Sequence, residues 1–264
     1  MRMTRADLLA TAQRSLTAAA GHDREGWIAL FTADGRVEDP VGSRPHRGHV
    51  AIGHFYDTFI GPRAITHHPD VDLVVGATVL RDLELEIQMA PALTMRVPAY
   101  IRYDLKADTD LRIAALSAYW ELPAMMGQFA RGGLAAVPAG IALGRTMFTN
   151  QGLSGSLGFL GGFQGFGTGG KGLFARFLDE ACGGDEIGVR RHAADIPITR
   201  GDTEGLTTSD LVKHLSGGTW DKLIRSGRAV AARVDRDGRR TVLIADLGAD
   251  RAAIARIRLF GELP

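Results

Sequence analysis

The sequence predicts two α+β domains in tandem, each a curved, mostly antiparallel sheet folded over helices. Three observations predict it. Helical periodicity over the first sixty residues gives way to period-two alternation, the same order returns in the second half, and a glycine-dense stretch divides the two. The 264 residues suffice for two cores. The domains are read as 1–125, a connecting segment 126–172, and a shorter second copy 173–264.

In the first half, Leu8, Leu9, Ala12, Leu16, Ala19 and Ala20 recur at helical spacing, and Gly21 ends that helix. Asp23 caps a second short helix holding Trp27, Ile28, Leu30 and Phe31. Val37 to Gly42 reads as a short strand running into a turn. A third helix over 49–60 puts Ile52, Phe55, Tyr56 and Phe59 on one face. Leu83, Leu85, Ile87 and Met89 then alternate with Asp82, Glu84, Glu86 and Gln88, a half-buried strand, and 95–105 and 111–122 are further strands. A curved sheet over three helices leaves a hollow suited to a small apolar ligand.

The second half echoes the first. Ala19-Ala20-Gly21-His22-Asp23-Arg24-Glu25 returns as Ala181-Cys182-Gly183-Gly184-Asp185-Glu186, and Ala33-Asp34 as Ala194-Asp195. The ending Ile113 to Pro123 returns as Ile254 to Pro264. A helix over 208–215 and strands over 229–234 and 241–247 lie between these echoes, so the chain reads as a duplication. Two copies in one chain can pair internally as a pseudo-dimer, or the chain can form a homodimer.

Composition narrows the function. A formal net charge of +1 gives no bulk attraction for nucleic acid or an anionic membrane. Cys182 is the one cysteine, so no internal disulfide forms, which fits a reducing compartment. The apolar run after Met1-Arg2-Met3 is too short for a signal-peptide core, and the expected location is cytoplasmic. The eight histidines lack metal-ligand spacing, and no dinucleotide-binding glycine motif follows a strand into a helix; neither metal nor cofactor is expected. Fifteen glycines lie between Gly127 and Gly172, with Phe129, Phe148, Phe159, Phe163 and Phe166 among them. A flexible linker does not carry so many aromatics. Three readings stand for this segment: an ordered wrap over the domains, an apolar hairpin making peripheral membrane contact with Arg131, Arg145 and Lys171 at the headgroups, or a lid over the first hollow.

Val37-Glu38-Asp39-Pro40-Val41-Gly42, followed by Gly48, Phe55-Tyr56 and the closing Ala118-Tyr119-Trp120, resembles the signature of bacterial steroid Δ5-isomerases. These are ketosteroid isomerases of the nuclear-transport-factor-2-like (NTF2-like), or SnoaL-like, superfamily. The resemblance covers most of residues 5–124 and implies a cone of helices on a curved sheet, repeated in the second half. It also implies a general base at Asp39, which would move a proton next to a ketone on a steroid, terpenoid or polyketide-like substrate. A carboxylate at the mouth of an apolar cavity is desolvated, which makes it a better base near neutrality.

The resemblance departs where the oxyanion donors belong: the Tyr position falls on Ser15 and the Asp position on Ala99. Tyr56 is retained, in a supporting position. Ser15, Tyr56, Tyr100 or a histidine are the candidates to replace the lost donors, and alternation turns either His67 or His68 toward the cavity. Met89, Met95, Val97, Ala99, Leu116, Ala118 and Trp120 would form the apolar wall around a small hydrophobic ligand. The second copy sets Arg200 opposite Asp39 and so lacks the base. The readings beside an isomerase are a non-catalytic carrier of an apolar ligand and a SnoaL-type cyclase or epoxide-opening enzyme.

Overall fold

A computed structural model describes residues 3–91, 93–107, 110–131, 169–193, 195–249 and 253–262. The three readings of the segment 126–172 fall for the greater part on 132–168, outside the described residues. The chain divides into two compact units, 1–72 with 77–164 and 73–76 with 165–264.

In the first unit, helix α1 (Arg5–Ala20) starts from a reciprocal cap: Thr4 Oγ1 accepts from the Asp7 backbone N–H, and the Asp7 carboxylate accepts from Thr4 N–H. It buries Leu8, Ala12, Ser15, Leu16 and Ala19. Helix α2 (Arg24–Ala29) is capped by Asp23, which accepts from Gly26 N–H at 2.9 Å. Helix α3 (Gly48–Phe55) runs into a π-helical turn, Tyr56–Ile60. Six strands follow this frame: β1 (Phe31–Glu38), β2 (His46–Arg47), β3 (Ala64–Val75), β4 (Thr78–Ala90), β5 (Leu93–Ala107) and β6 (Leu111–Tyr119). They form one sheet in the order β2-β1-β6-β5-β4-β3, with β1 parallel to β6. Helix α4 (Leu122–Arg131) carries the chain beyond residue 125, tied to β5 where Gln128 bonds both the N–H and the C=O of Arg96.

The second unit repeats the succession. Helices α5 (Gly169–Gly183), α6 (Glu186–Ala193) and α7 (Thr208–Leu215) accompany β7 (Ile198–Arg200), β8 (Glu204–Gly205), β9 (Thr219–Ser226), β10 (Ala229–Arg236), β11 (Arg239–Leu247) and β12 (Ile254–Phe260). The order β8-β7-β12-β11-β10-β9 is that of the first sheet strand for strand, and β7 is again parallel to β12. Local chemistry repeats too. His22 (φ 55) and Gly184 (φ 79) both end their helix in the left-handed region, and Asp185 caps α6 by accepting from Gly188 N–H at 2.9 Å, as Asp23 does from Gly26. The fold is α+β, a tandem of two cones.

The register fixes which residues are equivalent. Val37 pairs with Leu116 and Glu38 with Ser117; Ile198 pairs with Ile257 and Thr199 with Arg258. With the endings aligned, the residue after Glu38 corresponds to the residue after Thr199, so Arg200 stands where Asp39 does.

Candidate active site

Alternation assigns one face of the first sheet to the site. Val79, Tyr103, Leu116 and Val37 form one cross-strand row, and Arg81, Ile101 and Ala118 form the next. Val97, Ala99 and Trp120 share this face by parity. It is the face turned to α1, because Arg81 Nη1 donates to Gln13 Oε1 at 2.8 Å.

Asp39 leaves the end of β1 beside Ala118, where Val41 N–H donates to Ala118 C=O at 2.8 Å. Trp120 Nε1 donates to Asp39 Oδ1 at 2.5 Å. Asp39 keeps part of its surface accessible, yet the protein packs densely around its carboxylate. Burial raises its pKa to about 6 even though the Trp120 hydrogen bond pulls the other way. A carboxylate so placed is ionised near neutrality and retains more basicity than a solvated one, the property a general base needs.

The other predicted residues distribute unevenly. Met95, Val97, Ala99, Leu116, Ala118 and Trp120 are all buried, and Met89 is half-buried. Ser15 is buried and its Oγ accepts from Trp27 Nε1 at 3.2 Å. Tyr56 is buried against Trp27, with ring centroids 5.5 Å apart, and no protein group accepts its hydroxyl proton. Burial raises its pKa, helped by the charges of Asp23 and Asp57, which places it toward the outer end of α2. His67 is half-buried; burial lowers its pKa to about 4, with the Arg81 and His68 charges adding to the effect. His68 is exposed, with Nε2 3.4 Å from Glu86. Asp39 is not among the charges acting on His67, so the geometry does not join that histidine to the carboxylate. Tyr100 pairs with Asp82 and Tyr119 on the opposite face from Ala99.

Two residues without a role in the sequence reading stand on the site face. Arg81 is buried and holds Asp72 through Nε and Nη2 at 2.9 Å each. Tyr103 is fully buried, and its hydroxyl has no aligned hydrogen bond to any protein group. The Ser15 hydroxyl is its neighbour and favours the phenolate, but burial dominates and pushes the phenol up to about 12. The signal was present in the sequence: Tyr103 has the same strand parity as Ala99. An open groove of about 540 Å³ lies elsewhere, lined by Asp7, Thr11, Arg14, Leu30, Asp110 and Arg112, and contains none of these residues.

The second unit has lost this constellation. By register, Arg200 replaces Asp39, Gly261 replaces Trp120, Ala245 replaces Tyr103 and Ala232 replaces Arg81. The helix echo sets Phe177 at Ser15 and Phe174 at Ala12. The two phenylalanines stack at 5.7 Å within a fully buried core with Leu243, Ala245, Ile257 and Leu259. Arg200 Nε donates to Gly261 C=O at 3.0 Å and Nη1 to Glu204 at 2.9 Å. Among the described residues no group of three or more His, Cys, Asp or Glu could hold a metal ion, and no helix is long and apolar enough to cross a membrane.

The first unit thus sets a partly buried carboxylate on the inner face of an α+β cone. Residues 8–125 match the family model for the Nuclear transport factor 2 (NTF2) domain, and the first unit is an NTF2-like domain. The chain is 37% identical over 71 residues to the Steroid Delta-isomerase of Nocardioides simplex, a match over 27% of this chain and 58% of that enzyme. Among solved structures it is similar to the Delta 5-3-ketosteroid isomerase from Mycobacterium sp., at 30% identity over 45% of this chain and 96% of that one, TM-score 0.42. It is also similar to RV0760c from Mycobacterium tuberculosis in complex with estradiol-17β-hemisuccinate, at 26% identity over 44% and 95%, TM-score 0.41.

Proposed function

We propose that the first unit is an isomerase of ketosteroid-isomerase type. It takes a hydrophobic substrate bearing a ketone, with Asp39 as the general base that removes a proton next to the carbonyl and returns it elsewhere on the same skeleton. The observation that carries this reading is Asp39 itself: a carboxylate lifted to about 6 by burial and fixed by Trp120 Nε1. The partial match to a Steroid Delta-isomerase supports it. The second unit, with Arg200 at the base position, acts as structure.

The test is steady-state turnover of 5-androstene-3,17-dione by the full chain and by Asp39→Asn. Turnover by the wild type, lost about 10²–10⁴-fold in the variant, supports the base. Turnover that survives the substitution removes Asp39 from the chemistry. A second reading, a non-catalytic carrier of an apolar ligand, is favoured by Ser15 and Ala99 standing where the usual donors belong; ligand binding without turnover by the wild type would select it.

A further inference from the structure

We propose that the open groove between α1, the end of α2 and the start of β6 is a second binding site, for a di- or tripeptide with apolar side chains and free termini. It is separate from the Asp39 site and independent of the isomerase reading.

The groove, about 540 Å³, has the size of a small-molecule site. Ala10, Ala29, Leu30 and Leu111 give it an apolar lining. Four charged side chains line it as well: Asp7 and Arg14 from α1, Asp110 and Arg112 from the start of β6. Opposite charges around one hollow ordinarily pair, yet none of these four pairs with another. Arg14 Nη2 donates to Thr11 Oγ1 at 3.0 Å, and Thr11, 1% exposed, donates in turn to Asp7 C=O at 2.9 Å. A buried hydroxyl thus fixes that guanidinium at the groove. Asp7 Oδ2 accepts from Thr4 Oγ1 at 2.7 Å and from Thr4 N–H at 3.0 Å, and these bonds lower its pKa and keep it charged. Arg112 is half-buried and Asp110 exposed, and neither side chain has a partner among the described residues.

Charges of both signs that line one groove without meeting leave a gap that a ligand carrying both signs can close. A carboxylate would take the arginines and an ammonium the aspartates, each through charge-assisted hydrogen bonds. The spacing sets the length. Asp7 and Arg14 stand two helical turns apart, about 10 Å, and Asp110 and Arg112 about 7 Å apart along the strand. Extended di- and tripeptides span about 7 and 10 Å. Asp7 and Asp110 repel a phosphate or a nucleic acid, and a wholly apolar ligand would cover four charges without satisfying them. In the sequence echo Gly169, Arg176, Arg251 and Ala253 stand at Asp7, Arg14, Asp110 and Arg112, and Leu173 at Thr11, so the four-charge set belongs to the first copy alone.

The test is calorimetric binding of leucyl-leucine and leucyl-leucyl-leucine to the full chain, beside their N-acetyl and C-terminal amide forms. A free peptide should bind, and blocking either terminus should weaken it by about 10-fold or more. Arg112→Gln should weaken the free peptide by a similar factor and leave the amide form unchanged; Asp110→Asn should do the same relative to the N-acetyl form. Neither substitution removes a side-chain contact within the protein, so both variants should fold. Backbone amide signals of Thr11, Leu30 and Leu111 should shift on binding, and those of Asp39 and Trp120 should not. No binding of either free peptide at millimolar concentration overturns the proposal. So do equal affinity for a blocked form, wild-type affinity in either variant, or shifts centred on Asp39.

Discussion

Trp120→Phe tests whether the carboxylate is tuned as its surroundings imply. In the wild type two opposed effects set the Asp39 pKa near 6: burial raises it and the Trp120 Nε1–H bond lowers it. Phenylalanine keeps the apolar bulk and removes the donor. A hydrogen bond to a charged group is worth about 1.5–3 kcal/mol, and one pH unit corresponds to about 1.4 kcal/mol, so the loss raises the pKa by about 1–2 units. The base must be ionised to act, so kcat/KM falls as pH drops through its pKa. That acid limb should move from about 6 to about 7–8, cutting the rate at pH 7 by roughly 2–10-fold while the plateau at pH 9 is kept or raised. The assay is kcat/KM against pH from 4.5 to 9 with 5-androstene-3,17-dione. A carbon-13 titration of the labelled Asp39 carboxyl gives the same pKa without turnover. A limb that stays at 6, or moves to lower pH, would refute the claim that Trp120 stabilises the charged form.

Asp39→Asn should stabilise the fold while abolishing activity. A carboxyl raised from 3.8 to about 6 holds its proton longer in the folded state, so stability falls as pH rises from about 4 to about 6, by at most about 3 kcal/mol; urea titrations at pH 4 and pH 7 should show that fall in the wild type and not in the variant. Arg81→Met strands the Asp72 carboxylate, 28% exposed, and should cost about 3 kcal/mol, read as a lower denaturation midpoint. Phe177→Ala opens a cavity in a core where the side chain is fully buried and should cost about 3–5 kcal/mol, read as lost hydrogen-exchange protection along β11 and β12.

What the sequence made legible follows from how strongly each element repeats a period. The alternation Leu83-Leu85-Ile87-Met89 defines β4 because its two faces meet different surroundings, and the echoed endings expose the duplication because the same ladder is built twice. Strand β9 escaped because its pattern is broken: Lys222 sits at φ 46, and the pairing slips a residue between Ala231 and Arg233. The start of α5 escaped because Gly169, Gly170 and Gly172 argue against a helix. Packing overrides that propensity at Gly170, where a Cβ would come within 2.5 Å of the Leu247 side chain. Asp39 was readable from its motif, whereas Tyr103 offered only its strand parity with Ala99: its place depends on the register that sets it beside Leu116 and near Ser15, a relation between three distant segments.

The second unit supplies a control built into the same chain. Its sheet repeats the first in order and direction, so the two interiors can be compared position by position. Phe177 and Phe174 stand at the places of Ser15 and Ala12, Ala245 at Tyr103 and Ala232 at Arg81, and the resulting core is apolar and tightly filled. If the polar groups of the first unit served only folding, the copy would have reason to keep some of them. Instead the carboxylate, the indole donor, the phenol and the guanidinium are replaced together. That joint loss is the pattern expected of residues that form one working site, and it groups Tyr103 and Arg81 with Asp39 and Trp120.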